Sequence, residues 1–137
     1  MTTYTPKSKF ISVNDLNLHY LDWDSKQKPA MVCVHGHTGQ AHMWDEFAVA
    51  MSPYYHVYAL DQRGHGDSEW AQKSSSQGEH QPQSHQYSRN QFVQDLKVFV
   101  NSLQLKNIVL VSLSMGGWVS LIYASENPNL ISRLILV

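Results

Sequence analysis

The segment VSLSMGGW, residues 111–118, sets one hydroxyl, Ser114, between an apolar run and two glycines. NIVLVSLS before it reads as a buried strand and MGGWVSLIYASEN after it as a helix, so Ser114 falls in a tight turn between them. Such a turn lifts the hydroxyl out at the carboxyl end of a sheet. The helix start offers unpaired N–H groups and a dipole that favours negative charge. That setting suits acyl transfer. A serine hydroxyl attacks a carbonyl only when a base takes its proton, usually a histidine oriented by a carboxylate. The 23 residues after Ser114 contain Glu126 and no histidine, and all eight histidines lie upstream. Glu126 is three turns along the same helix, about 18 Å away at 1.5 Å per residue, too far to act with Ser114.

The neighbours of Ser114 are read by size. Gly116 lets the helix backbone approach the strand without a Cβ clash, and Gly117 keeps the next turn slim. The first small position of the usual G-x-S-x-G elbow is Ser112, which keeps the turn feasible but more crowded. Cys33 is the only cysteine and stands between Val32 and Val34, so no intrachain disulfide forms and the thiol reads as an inert core group. The pair His35 and His37, with His80 and His85 further on, raises a metal site. No cysteine cluster or H-E-x-x-H pattern accompanies them, and no metal is expected.

Positioning these groups takes a sheet. FISV and LNLHYLDW alternate on either side of Asn14 and Asp15, which predicts an antiparallel hairpin. AMVCVHG is apolar without alternation, as a strand buried on both faces is. Trp44, Phe47, Ala48 and Met51 then keep helical spacing, and HVYALD resumes a strand, which makes a βαβ unit with parallel pairing. Residues 62–86 are polar and rich in Gly, Ser, Gln and His, and read as a long mobile loop. Ser88 with Gln91 has the form of a capping box, opening a helix on Phe92, Leu96, Phe99, Val100 and Leu103. After the strand and helix that flank Ser114, ended by Pro128, ISRLILV is a last strand. The fold expected is α/β, a mostly parallel sheet after an N-terminal hairpin, in one domain over 1–137. Trp44, Phe47, Phe92 and Phe99 are read as core. Trp118 is read as pocket or core, and His42 and Met43 as candidate pocket borders.

Composition narrows the partners. A formal net charge of -1, from ten Lys plus Arg against eleven Asp plus Glu, gives no field that would gather nucleic acid or anionic lipid. MTTYTPKSKF lacks the apolar core of a signal peptide, and no run approaches the roughly 18 apolar residues of a membrane span. The expectation is a cytoplasmic chain.

Two more stretches, VHGHTG at 34–39 and LDQRGHGDS at 60–68, join SLSMGG. Together they resemble the α/β-hydrolase superfamily, in particular its esterases, lipases, carbon–carbon bond hydrolases and non-metal haloperoxidases. The resemblance implies that the turn His35, Gly36 and His37 forms half of an oxyanion hole. His37 would give one backbone N–H and Met115 the other, with His35 a structural hydrogen-bonding group beneath. In the Gly-rich turn, Asp61 and Arg63 are expected to tie loops together by charge-assisted hydrogen bonds. Gly64 and Gly66 serve its geometry, and His65 is not expected to be catalytic.

Whole domains of the family continue with a cap and further strands that carry the acid and the histidine, so the chain is expected to be truncated after the sixth strand. The implied activity is hydrolysis of a small carboxylic ester through an acyl enzyme on Ser114, with no cofactor. Without its base the chain by itself is expected to be nearly inactive, and its open sheet edge is expected to self-associate. The alternative is a non-catalytic binding or interaction module.

Overall fold

Asn14 and Asp15 take φ of 47° and 63°, the backbone that lets a two-residue turn follow the twist of its strands. They join β1 (Lys7–Val13) to β2 (Leu16–Trp23) as the expected antiparallel hairpin. The computed structural model describes residues 4–25, 27–71 and 85–137. Within them follow β3 (Ala30–Val34), a 3₁₀ turn (Ala41–Trp44), α1 (Asp45–Met51), β4 (His56–Leu60), α2 (Arg89–Ser102), β5 (Ile108–Ser112), α3 (Met115–Glu126), a second 3₁₀ turn (Pro128–Leu130) and β6 (Ile131–Leu136). The part of the long polar loop between residues 72 and 84, His80 included, lies outside the described residues.

The sheet order is β1-β2-β4-β3-β5-β6. β2 meets β4 antiparallel, and β3, β4, β5 and β6 run parallel. Side-chain alternation explains the unbroken apolar runs. Met31, Cys33, Val57, Ala59, Val109 and Val111 face one way, toward Trp44 and Ala48. Val32, Val34, Tyr58, Leu60, Ile108 and Leu110 face the other, toward Phe92, Leu96, Phe99, Val119 and Tyr123 of α2 and α3. Burial on both faces pushes the Cys33 thiol pKa far up, which keeps it protonated and inert.

One local expectation fails. Ser88 is the residue before α2, but its side chain makes no capping bond. The donors a capping box would satisfy are already used: Gln91 N–H reaches the Ser88 carbonyl at 3.0 Å and Ser88 N–H reaches that of His85 at 3.4 Å. What anchors α2 is Asp95. Its buried carboxylate takes a two-pronged bond from Arg63, Nε to Oδ2 at 2.6 Å and Nη2 to Oδ1 at 2.7 Å, and a third from Asn14 Nδ2 at 2.9 Å. The helix, the hairpin turn and the loop after β4 are thereby locked to one another. No helix among the described residues is long and apolar enough to cross a membrane.

Candidate active site

Ser114 connects β5 to α3 with φ 49° and ψ −115°, a conformation that a side chain tolerates only where its surroundings enforce it. The enforcement is visible around it. Leu113 N–H is held by Val34 O at 3.0 Å and Ser114 N–H by Val137 O at 3.2 Å, while Gly116 N–H folds back onto Leu113 O at 2.9 Å. Gly116 is required: a Cβ there would run into the carbonyl oxygens of Val34 and His35. Gly117 is not, which corrects its sequence reading. A Cβ at 117 would make only ordinary contact, 3.6 Å from a Leu136 methyl, because that side of the helix turn faces β6 loosely. Ser112 is fully buried and donates to Ser120 Oγ at 2.5 Å. The hydroxyl in place of the first elbow glycine thus has its own partner inside.

The loop after β3 passes close beside the serine. A Cβ on Gly36 would stand 3.3 Å from Ser114 Cβ. His37, next in the chain, is exposed, and neither its N–H nor that of Met115, the first residue of α3, has a partner among the described residues. Below the loop, His35 is wholly buried. Its Nε2 accepts Gln62 N–H at 3.0 Å and its Nδ1 faces Gly36 O at 2.7 Å, while Gln62 Nε2 donates to His35 O at 2.8 Å. An Nε2 that accepts must be unprotonated, so the proton sits on Nδ1 and the ring is neutral. Burial lowers its pKa in the same sense. Both nitrogens are committed to the loop, as those of His65 are: Nε2 is 2.7 Å from His37 O and Nδ1 2.9 Å from Arg63 O. The Ser114 hydroxyl has no hydrogen-bond partner among the described residues.

Two depressions meet at this exposed serine. One, of about 530 Å³, is lined by Gly36, His37, Thr38, Gly39, Gln40, His42, Met43, Leu113 and Ser114. The other, of about 380 Å³, is walled by Tyr87, Phe92, Met115, Trp118, Val119 and Ile122, with Arg89 at its rim. Trp118 is therefore a pocket residue, 56% exposed, with the Arg89 guanidinium 4.8 Å from its ring centre. His42 and Met43 border the first depression, and His42 also bonds Asp45 through Nδ1 at 2.9 Å.

Residues 29–137 match the family model described as alpha/beta hydrolase fold. The chain belongs to the α/β hydrolase fold family. Epoxide hydrolase 1 of Caenorhabditis elegans is 24% identical over 128 residues, which is 93% of this chain and 29% of that protein. The sn-1-specific diacylglycerol lipase ABHD11 of Mus musculus is 32% identical over 124 residues, 89% of this chain and 36% of that one. Among solved structures, the thioesterase domain from the curacin biosynthetic pathway superposes with a TM-score of 0.85 at 28% identity, over 97% of this chain and 46% of the other. This α/β hydrolase chain thus spans about a third of the length of these curated relatives.

In the α/β hydrolase frame the LDQRGHGDS turn is a hub. Asp61, 2% exposed, accepts Ala41 N–H at 2.5 Å, Asp67 N–H at 3.0 Å and His19 Nδ1 at 2.8 Å. Arg63 is equally buried and pairs with Asp95 rather than with Asp61. Gly64 and Gly66 take φ of 70° and 52°, and side chains there would strike the Tyr87 ring and the Asp61 carboxylate. Sequence reasoning missed Asp95, His19, Ser120 and Arg89. Asp95, His19 and Arg89 lie far along the chain from their partners, and Ser120, eight positions from Ser112, meets it only because α3 folds back over β5. Among the described residues, His35 and His37 join no group of converging ligand atoms. The one group of ligand atoms that converges among the described residues is that of His19, Asp61 and Asp67, in which the His19 and Asp61 atoms are already bonded to each other and the Asp67 backbone N–H donates to Asp61.

Proposed function

We propose that this chain carries the nucleophile and the oxyanion-stabilising half of a serine hydrolase that cleaves carboxylic esters. The observation that carries the reading is Ser114 itself: an exposed hydroxyl on a strained strand-to-helix turn, beside two unpartnered N–H groups and between two depressions. In the mechanism, Ser114 Oγ attacks the ester carbonyl and the His37 and Met115 N–H groups hold the oxyanion. Removing one such donor typically costs about 10²- to 10³-fold in rate. The apolar depression under Trp118 takes the acyl chain, and the one beside His42 takes the alcohol. The proton passes to a histidine, oriented by a carboxylate, from polypeptide outside residues 1–137; His35 and His65 are both engaged elsewhere. Water then releases the acyl group. A serine rather than an aspartate at the elbow favours acyl transfer over epoxide opening, since relatives that open epoxides use aspartate there. Without the outside base, turnover is nearly abolished. For residues 1–137 taken alone, the edge of β6, with Ile135, Leu136 and Val137 exposed, is proposed to pair with a second copy.

A fluorophosphonate probe tests the reading. Labelling of the native polypeptide, mapped by peptide mass spectrometry to Ser114 and lost in Ser114→Ala, is the expected result. A native polypeptide that is folded and binds small acyl ligands but stays unlabelled at Ser114 would replace this reading with a non-catalytic binding module.

A further inference from the structure

Ser114 lacks a base among the described residues, yet a complete nucleophile, base and carboxylate line exists elsewhere in the same chain. Ser8 Oγ lies 2.8 Å from His19 Nε2, and His19 Nδ1 lies 2.8 Å from Asp61 Oδ2. His19 and Asp61 are 1% and 2% exposed, whereas Ser8 is open to solvent. A carboxylate can only accept, so it holds the imidazole proton on Nδ1 and leaves Nε2 as an acceptor aimed at the Ser8 hydroxyl. The carboxylate is itself fixed by the Ala41 and Asp67 N–H groups, and the imidazole is packed by Phe10, ring centres 5.1 Å apart. Base and orienter are therefore rigid, and only the hydroxyl faces outward. This is the arrangement that activates a serine. It stands on β1, four strands from β5, which at roughly 4.8 Å per strand is about 19 Å across the sheet.

We propose that Ser8 is a second nucleophile, acylated by activated carboxylic esters independently of Ser114. Ser8 Oγ attacks the acyl carbon while its proton moves to His19 Nε2. The adduct collapses with loss of the aryloxide, to which His19 returns the proton, and Ser8 keeps the acyl group. Because the site is open to water, charge on the adduct is stabilised by solvent, and the electrophile is one with a good leaving group, an aryl ester.

The test uses the full-length polypeptide carrying Ser114→Ala, which removes the proposed hydrolase nucleophile and so separates the two readings. It is treated with p-nitrophenyl acetate and mapped by peptide mass spectrometry over time. Ser12, exposed on the same strand and without a histidine partner, is the internal reference. Acetylation of Ser8 about 10²-fold faster than of Ser12, the lower range for general-base assistance, is expected, with loss of that modification in Ser8→Ala. Equal rates at the two serines, or acetyl groups confined to lysines such as Lys7 and Lys9, would overturn the proposal. Ser8 is exposed, so its replacement leaves the core intact.

Discussion

Gly116 and Gly117 sit side by side in the sequence and answer to different constraints. At 116 a methyl group meets backbone oxygens, which cannot swing aside as a side chain can. Gly116→Ala is expected to cost at least about 1–3 kcal/mol, as overpacking does, and to displace Ser114. At 117 the methyl group fits, and Gly117→Ala gains up to about 1 kcal/mol of helix propensity. Urea midpoints of the two variants, moving in opposite directions, check the pair. His35 supports a pH prediction at the same scale. Burial lowers its pKa below the ordinary 6.5, so the unfolded chain binds more protons as acidity rises. Stability from this group is complete above about pH 6.5 and is lost as pH falls below it. The slope does not exceed about 1.4 kcal/mol per pH unit for one group. Urea unfolding at pH 7.5 and 5.5 is expected to show this loss, and a smaller one in His35→Gln.

At the scale of elements, the Arg63–Asp95 pair decides where α2 sits. Both groups are almost fully buried and joined by two bonds, while Asp95 also holds the hairpin turn through Asn14. Arg63→Ala leaves an unpaired carboxylate inside the protein and is expected to cost about 3–5 kcal/mol, measured by urea denaturation. Arg63→Lys restores only part of it, since an ammonium cannot make the planar two-pronged contact. α2 also supplies Arg89 and Phe92 to the depression beside Ser114, so a shift of this helix reaches the site without touching the serine.

At the scale of the whole sheet, β6 stands at one edge among the described residues, and Ile135, Leu136 and Val137 are 43%, 52% and 73% exposed. Such an edge is a template for pairing. For residues 1–137 expressed alone, sedimentation velocity is expected to show mass rising with concentration. Ile135→Lys is expected to reduce the association by placing a charge on the edge.

The hairpin, the two-faced strands, the parallel βαβ order and the turn that holds Ser114 were legible in the chain, because each depends on residues close in sequence: alternation, helical spacing, turn formers and small residues at the elbow. The partners of the polar core were not. That Asp61 turns to His19 and Ser8 finds an imidazole follows from strand order and register, and that Arg63 turns to Asp95 follows from how α2 packs on the loop after β4; these groups are separated by 42, 11 and 32 positions. The capping box at Ser88 and the need for a slim turn at Gly117 failed for a related reason, since backbone carbonyls or open space met the need that the local pattern suggested. Short-range pattern sets which elements form. Only packing them decides which buried polar groups face one another, because the cost of leaving such groups unpaired is settled by whatever the assembled fold brings within reach.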